Sequence, residues 1–550
     1  MIRSLLGLAV LPLALGAFYG CGDDSSGTPS GSGGAVDAGT DASGGAAGSG
    51  GSTGGSAGAD AGGAAGMAGA AGSGGGGMSK SQYEVPLSPP ACDESDPTVR
   101  IIEKDADWAD INDAAYRVFC VKPGDYTGLG TVSLTADGSA GKERWIRYWD
   151  PAVSGEAPHP AKQAESARAV VEELYLNDAD YWVIQGLTVR GGWSRVGLEH
   201  GTEHVVLDRL LLESARVEIR DACNDNTLQN SVLRNAPLVP NADRICIVLS
   251  GGSTNDTDVA IHGTRVVNNE VYDCTDSIQL YQPGGVTHNT DFGGTIIDEN
   301  DMYLTPAIYS DCNGNLDPNG DCACAENAVD IKAGGTSDQN MVQVSNNRMW
   351  GFKRSDPACG STGSWGEAMV VHVIANYVLA QKNVAWDNAK GLVLGNSHHS
   401  VIDNVVVDTE TPVTTEDFGI QLSGSKNEAY RNIVVDAQYW GHVPGSETDW
   451  RCNTFIRSNA IYTAPSGSNT FDYNFYFEST QLAQPGDHDI VASAAEDSKN
   501  EDLCFLAKRW TGPEQVCLPL AKPTAQSPQA NACDPNLGSV PGVGIGDDPW

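Results

Sequence analysis

The chain has 550 residues, 65 of them glycine, with 33 lysines and arginines against 71 aspartates and glutamates and a formal charge of −38. That balance excludes nucleic acid as a partner, because phosphate backbones demand basic surfaces. An acidic polysaccharide would need a local basic patch or a bound cation to receive it.

Arg3, the apolar run from Leu5 to Phe18, and Gly20-Cys21 predict an export signal over 1–21. The run is too short for a stable membrane span. A small residue before Cys21, followed by a flexible tract, resembles a bacterial lipoprotein signal. That resemblance implies a lipid on Cys21 and a place on the cell envelope at the outer membrane, with plain secretion as the alternative. Residues 22–80, dominated by Gly, Ala, Ser, Thr and Asp, cannot bury enough apolar area to fold and predict a disordered tether. Setting Cys21 aside leaves 13 of the 14 cysteines, which predicts several disulfides and one unpaired thiol. Cys312 with Cys322 or Cys324 is the simplest local pair. No metal-finger spacing supports a zinc site.

The folded part is expected over 83–550. Asp105 to Tyr116 suggests a capping helix, since solenoid ends need covering. Arg117 to Tyr126 reads as an opening strand and a Pro-Gly-x-Tyr turn. From Tyr181 onward short apolar strands recur: Trp182 to Val189, Val205 to Leu212, Ser231 to Asn235, Val266 to Tyr272 and Val344 to Trp350. Later copies begin at Asn383, Asn404 and Asn432. The simplest spacings are roughly 21 to 23 residues, one solenoid turn, and larger gaps imply loop insertions. Asparagine often precedes the strand, where stacked side-chain amides form an internal ladder or simply suit the turn.

Four segments share a strict period-2 pattern: Ser277 to Gln282, Ala328 to Gly334, Ala368 to Val373 and Gly391 to Asn396. Aligned on it, Ile278/Leu280, Val329/Ile331, Met369/Val371 and Leu392/Leu394 point inward. Tyr281, Lys332, His372 and Gly395 then share one outward position, about 4.8 Å apart from rung to rung. The fold class these patterns predict is all-β, a solenoid with long loop insertions.

Residues 100 to 480 resemble the pectate-lyase-like superfamily of right-handed parallel β-helices, and the tail from Leu518 to Gly546 is similar to that group's closing segment. Glu326-x-x-x-Asp330-x-Lys332, followed one rung later by His372, resembles the site of the chondroitinase B and alginate lyase family. The resemblance implies Lys332 as base, Glu326 and Asp330 as calcium ligands, and His372 in the place of an arginine. This chain departs from the pattern in that histidine, in a longer intervening stretch, and in Ala333 where the family has serine.

Breaking a uronate glycan by β-elimination requires neutralising the carboxylate, removing the neighbouring proton, and serving the leaving oxygen. A calcium ion supplies the first. Lys332 suits the second where a nearby cation lowers its pKa. His372 or Tyr281 could serve the third. Lys353, Arg354 and Arg348 could grip sugar carboxylates, Arg354 being grouped with the catalytic set, and Trp350 could stack on a sugar ring. The plainer alternative is a surface lysine paired with Asp330 or Glu326. Asp311, Asn313, Asn315, Asp317, Asn319 and Asp321, with Gly314 and Gly320 between them, place oxygen ligands at alternate positions. They resemble EF-hand-like and thrombospondin-type calcium loops, and the ion would be structural.

The expected function is an exported, monomeric polysaccharide lyase acting on an acidic glycan with calcium. A hydrolase with paired carboxylates and a glycan-binding surface adhesin without turnover are the alternatives.

Overall fold

The computed structural model describes residues 81–153, 158–235, 245–251, 260–282, 291–309, 325–353, 366–409, 417–459, 468–480, 486–534 and 537. All belong to one compact unit, Ser79–Trp550. The signal, Cys21, the tether, the calcium loop from Asp311 to Asp321, Cys312, Cys322, Cys324 and Arg354 lie outside the described residues.

The strands wind into a solenoid with three faces. The first is a fourteen-stranded sheet from Val99–Ile102 to Thr470–Asp472. The second runs from Gly124–Asp125 to Ile490–Ala492. The third runs from Thr131–Leu134 to Tyr439–His442. Within each face the neighbours come from successive turns of the chain and pair in parallel. Two long strands, Thr188–Glu199 and Leu211–Arg220, bend from the second face into the third. This is a parallel β-helix.

The asparagine repeat explains how one turn hands over to the next. Asn269, Asn300, Asn347, Asn383, Asn404, Asn432, Asn453 and Asn474 stack in one buried column. Each side-chain amide donates to the carbonyl oxygen of the next, at 2.9–3.1 Å. That same oxygen accepts the backbone N–H of the preceding asparagine. The residue before every one of them has left-handed backbone, with φ from 54° to 61°. Left-handed backbone is costly for residues with a Cβ, and buried amide bonds of this kind offset that cost.

The predicted inward pairs are all buried: Ile278 with Leu280, Val329 with Ile331, Met369 with Val371, and Leu392 with Leu394. Their register is the expected one, Ile278↔Val329↔Met369↔Leu392. Alternation fails at the entry to these strands, where Ala328 and Ala368 are buried beside Val329 and Met369. The chain turns a corner there and only a small side chain fits. Gly391 holds the same position one rung on, and a Cβ on it would meet the Gly419 carbonyl oxygen at 2.1 Å.

Both ends differ from expectation. The first sheet opens one strand earlier, with Val99–Ile102 paired to Val118–Val121. The predicted capping helix shortens to a six-residue 3-10 turn, Asp105–Asp110, whose Trp108 packs edge-on to Tyr126 at 5.8 Å. Ser81, Tyr83 and Val85 lie along the first sheet, bonded to Asp298, Gln343 and Gln229. At the other end Glu501–Ala507 and Glu514–Lys522 form an antiparallel hairpin, stapled by Cys504–Cys517, and Cys452–Cys533 ties the following segment down. Cys92–Cys120 and Cys246–Cys274 are further disulfides, and Cys223 is a buried free thiol.

Candidate active site

Four strands of the third face carry the expected residues: Asp276–Tyr281, Asn327–Ile331, Glu367–Val371 and Lys390–Leu394. The ladder continues one residue past them. The Lys332 amide donates to the Leu280 carbonyl at 3.0 Å, that of His372 to Ile331 at 2.9 Å, and that of Gly395 to Val371 at 2.7 Å. Tyr281, Lys332, His372 and Gly395 therefore occupy one outward column.

Asp330 is the centre of the cluster. It faces outward, yet its side chain is only 2 % exposed, because Lys332 and His372 lie over it. Lys332 Nζ is 3.0 Å from Oδ2, and His372 Nε2 is 2.9 Å from Oδ1. The Gln279 amide donates to Oδ2 at 2.9 Å and to Asp276 Oδ2 at 3.1 Å. Asp276 in turn accepts the Asn327 backbone N–H at 3.0 Å. Burial alone would raise the Asp330 pKa, but His372 and Lys332 hold it down to about 2. Burial would likewise depress Lys332. Asp330, then Asp276 and Glu326, override it and keep the ammonium above the ordinary lysine range.

Lys332 is accordingly a cation in this arrangement, which argues against the general-base role. The plainer pairing with Asp330 is present, and the Lys332 side chain is 31 % exposed. His372 is different. Its Nε2 lies 2.9 Å from Oδ1 of the buried Asp330 carboxylate, which leaves Nδ1 on the far side of the ring from that carboxylate. Its side chain is 42 % exposed.

The calcium assignment does not fit Asp330. Its two oxygens are engaged by an ammonium, an imidazole and an amide N–H, and a dication would have to displace them. Glu326 stands half-buried beside the cluster, its backbone oxygen accepting the Gly366 N–H at 2.8 Å.

One further assignment changes, that of Arg348. Arg348 is buried, paired with Asp301 and bonded to the Leu506 carbonyl. It anchors the C-terminal hairpin and cannot reach a sugar. Trp350 is the third ring of a stacked aromatic column on the second face, 4.4 Å from Tyr303 and 4.6 Å from Trp386. Phe505 of the hairpin closes the column edge-on at 5.4 Å from Trp386. Lys353 is partly exposed and paired with Asp387.

Sequence reasoning missed Gln279, although it occupies the register position of Asp330 one rung earlier. Glu367 is buried beside Asn327 and paired with Lys390 at 3.4 Å. Burial pushes the Glu367 carboxyl up to about 7, against the pull of Lys390.

No protein-family model and no curated protein matches the sequence. Solved structures do. Pectate lyase Pel9A is 15% identical, with 78% of this chain and 88% of that chain covered and a TM-score of 0.34. A PL6 alginate lyase in complex with a trisaccharide is 12% identical, with 78% and 94% covered and a TM-score of 0.36. The A-module of the Azotobacter vinelandii mannuronan C-5 epimerase AlgE6 is 11% identical, with 70% and 97% covered and a TM-score of 0.34. The parallel pairing of strands from successive turns makes the chain a parallel β-helix. That fold hosts several chemistries, so the activity of this β-helix has to be argued from its own residues.

Proposed function

We propose that the protein cleaves an acidic, uronate-bearing polysaccharide by β-elimination at Asp330, Lys332 and His372. The observation that carries this reading is a single buried carboxylate holding an ammonium and an imidazole on adjacent rungs, both open to solvent. The neighbours with a similar fold include polysaccharide lyases, in line with this reading but not a basis for it.

Lys332 receives the sugar carboxylate. Its fixed positive charge withdraws electron density, so the proton on the adjacent carbon becomes acidic. His372 Nδ1 takes that proton, and the imidazolium formed is stabilised by Asp330. The electron pair left on carbon forms the new double bond as the glycosidic carbon–oxygen bond on the next carbon breaks. The departing oxygen gains a proton from the Tyr281 hydroxyl, one rung from Lys332, and solvent restores the tyrosine. Lys332 is thus assigned charge neutralisation, and His372 the base. The export signal and the glycine-rich tract fit a monomer held on the outer surface of the cell envelope through a lipid on Cys21.

The test is ultraviolet absorbance from the unsaturated product over a panel of uronate polymers. Product formation lost in both His372→Ala and Lys332→Ala supports the assignment. Full turnover by either variant refutes it. Retention of a polymer without any cleavage by the unaltered protein would make it a glycan-binding β-helix instead.

A further inference from the structure

The outward column that carries Tyr281, Lys332 and His372 does not begin with them. Ser250 pairs with Tyr281, and Arg220 pairs with Ser250. Arg220 thus stands in the column of Lys332, three rungs earlier, about 14 Å away at the usual strand spacing.

Around Arg220 the arrangement at Asp330 is repeated on a larger scale. Arg195 reaches Glu173 at 3.0 Å, Glu199 at 2.8 Å and Glu218 at 3.0 Å. Arg216 reaches Glu218 at 3.2 Å, and Arg220 is paired with Glu218 and lies 3.4 Å from Glu199. The acids lie below and the cations above. Glu199 and Glu218 are 9% and 6% exposed, whereas Arg195, Arg216 and Arg220 are 26%, 25% and 33% exposed. Glu173 and Asp221, 22% and 24% exposed, flank the group, and the three arginines are the exposed charges directly over Glu199 and Glu218. Burial lowers the Arg220 pKa, with Glu199 and Asp221 pulling it up and Arg195 and Arg216 pulling it down. Glu199, His200 and Asp221 also converge as a metal-like group, but Arg195 and Arg220 already occupy Glu199. Between the two cationic positions the column carries Ser250, which is buried, and Tyr281, which is partly exposed.

We infer that Arg195, Arg216 and Arg220 form a distal anion subsite that receives a carboxylate of the same glycan whose reacting uronate is held by Lys332. The glycan runs along the solenoid axis from Lys332 past Tyr281 towards the arginines. This inference rests on the proposed lyase reading, and it adds a requirement on chain length. A rung is close to the length of one pyranose residue, so only an oligomer that extends several residues beyond the cleaved bond reaches the arginines.

The experiment compares the unaltered protein with Arg220→Ala and Arg195→Ala on uronate oligomers from dimer to octamer. The expected result is a loss of roughly tenfold or more in kcat/KM for the long oligomers, the scale of one lost charge-assisted contact. The short ones should be cleaved as before, and Arg220→Lys should recover part of the loss. An equal fall at every length would mean a structural role and overturn the inference, as would no fall at all. Circular dichroism melting confirms that the variants fold. Should no uronate be cleaved by the unaltered protein, the lyase reading fails, and calorimetric binding of the octamer still decides the subsite. Weaker binding in Arg220→Ala upholds an anion site there, and unchanged binding removes it.

Discussion

Asp330→Asn isolates the group on which the site depends. The substitution keeps the shape of the side chain and removes its charge. Asp330 is held from the ordinary 3.8 down to about 2, which corresponds to roughly 2 kcal/mol at about 1.36 kcal/mol per pKa unit. A depressed carboxylate contributes stability that is fully present above its unfolded pKa and is lost as pH falls through its folded one. The contribution is therefore complete at neutral pH and fades between pH 3.8 and about 2. Asp330→Asn is expected to lower unfolding free energy by about 2 kcal/mol at pH 7, read from urea denaturation, and to flatten the acid limb of the stability curve. It also strips His372 of its buried charge partner and removes the largest of the charges that oppose burial at Lys332, leaving Asp276 and Glu326. Turnover should fall by on the order of 10²–10⁴, the range for loss of a positioned base. The assay is the initial rate of ultraviolet absorbance on a cleavable uronate polymer. A variant with unchanged turnover and an unchanged acid limb would refute the reasoning at both levels.

His372→Ala is expected to lower kcat by on the order of 10²–10⁴ with little change in KM, whereas Lys332→Ala should lower kcat and raise KM together, because the carboxylate it holds is bound in both ground and transition states; steady-state kinetics separates the two. Asn383→Ala removes four buried bonds, to Asn404 and Val344 as donor and from Asn347 twice as acceptor, and at about 1 kcal/mol each should cost roughly 4 kcal/mol, measured by guanidinium unfolding or, where refolding fails, by the unfolding rate. The Cys223 thiol, pushed up to about 12 by burial, should resist alkylation in the native protein at pH 8 and react at once in denaturant, counted by mass shift.

The winding of the chain was legible because it is written in short-range chemistry. Asparagine before each strand marks a left-handed turn and a buried amide at the same time, and the Asn269-to-Asn474 column realises both. The period-2 pattern found the register of the third face, residue against residue. Arg348 and Trp350, expected to meet sugar, do point out of the solenoid, on either side of the inward Met349. Outward is not exposed, however. The hairpin that covers them begins 151 residues after Trp350, at Glu501, and nothing local to the Arg348–Trp350 strand announces it. The same long reach ties Glu270 to Trp510 and Thr511, whose backbone N–H groups donate to it at 2.7 and 2.9 Å.

The ionisation of the site was not legible for a related reason. Lys332 was read as a base on condition that a cation lowers its pKa, but the sign of the shift depends on what lies beneath it. Asp330, two positions along, is on the same side of the strand, and its burial makes its charge weigh more heavily on the lysine than solvent-screened neighbours would. The pattern at Asp330 and the pattern at Glu199 and Glu218 answer one problem. A chain with a formal charge of −38 must still present positive charge wherever it is to meet an anion. Sinking the carboxylates into the sheet and laying arginine, lysine and histidine over them reverses the local field without altering the net charge. Because salt screens charges more than a Debye length apart far more than charges in contact, the attraction at these two positions should persist in salt that masks the repulsion from the rest of the surface. Raising ionic strength from low to physiological should accordingly strengthen glycan binding, and in Lys332→Ala that gain should shrink.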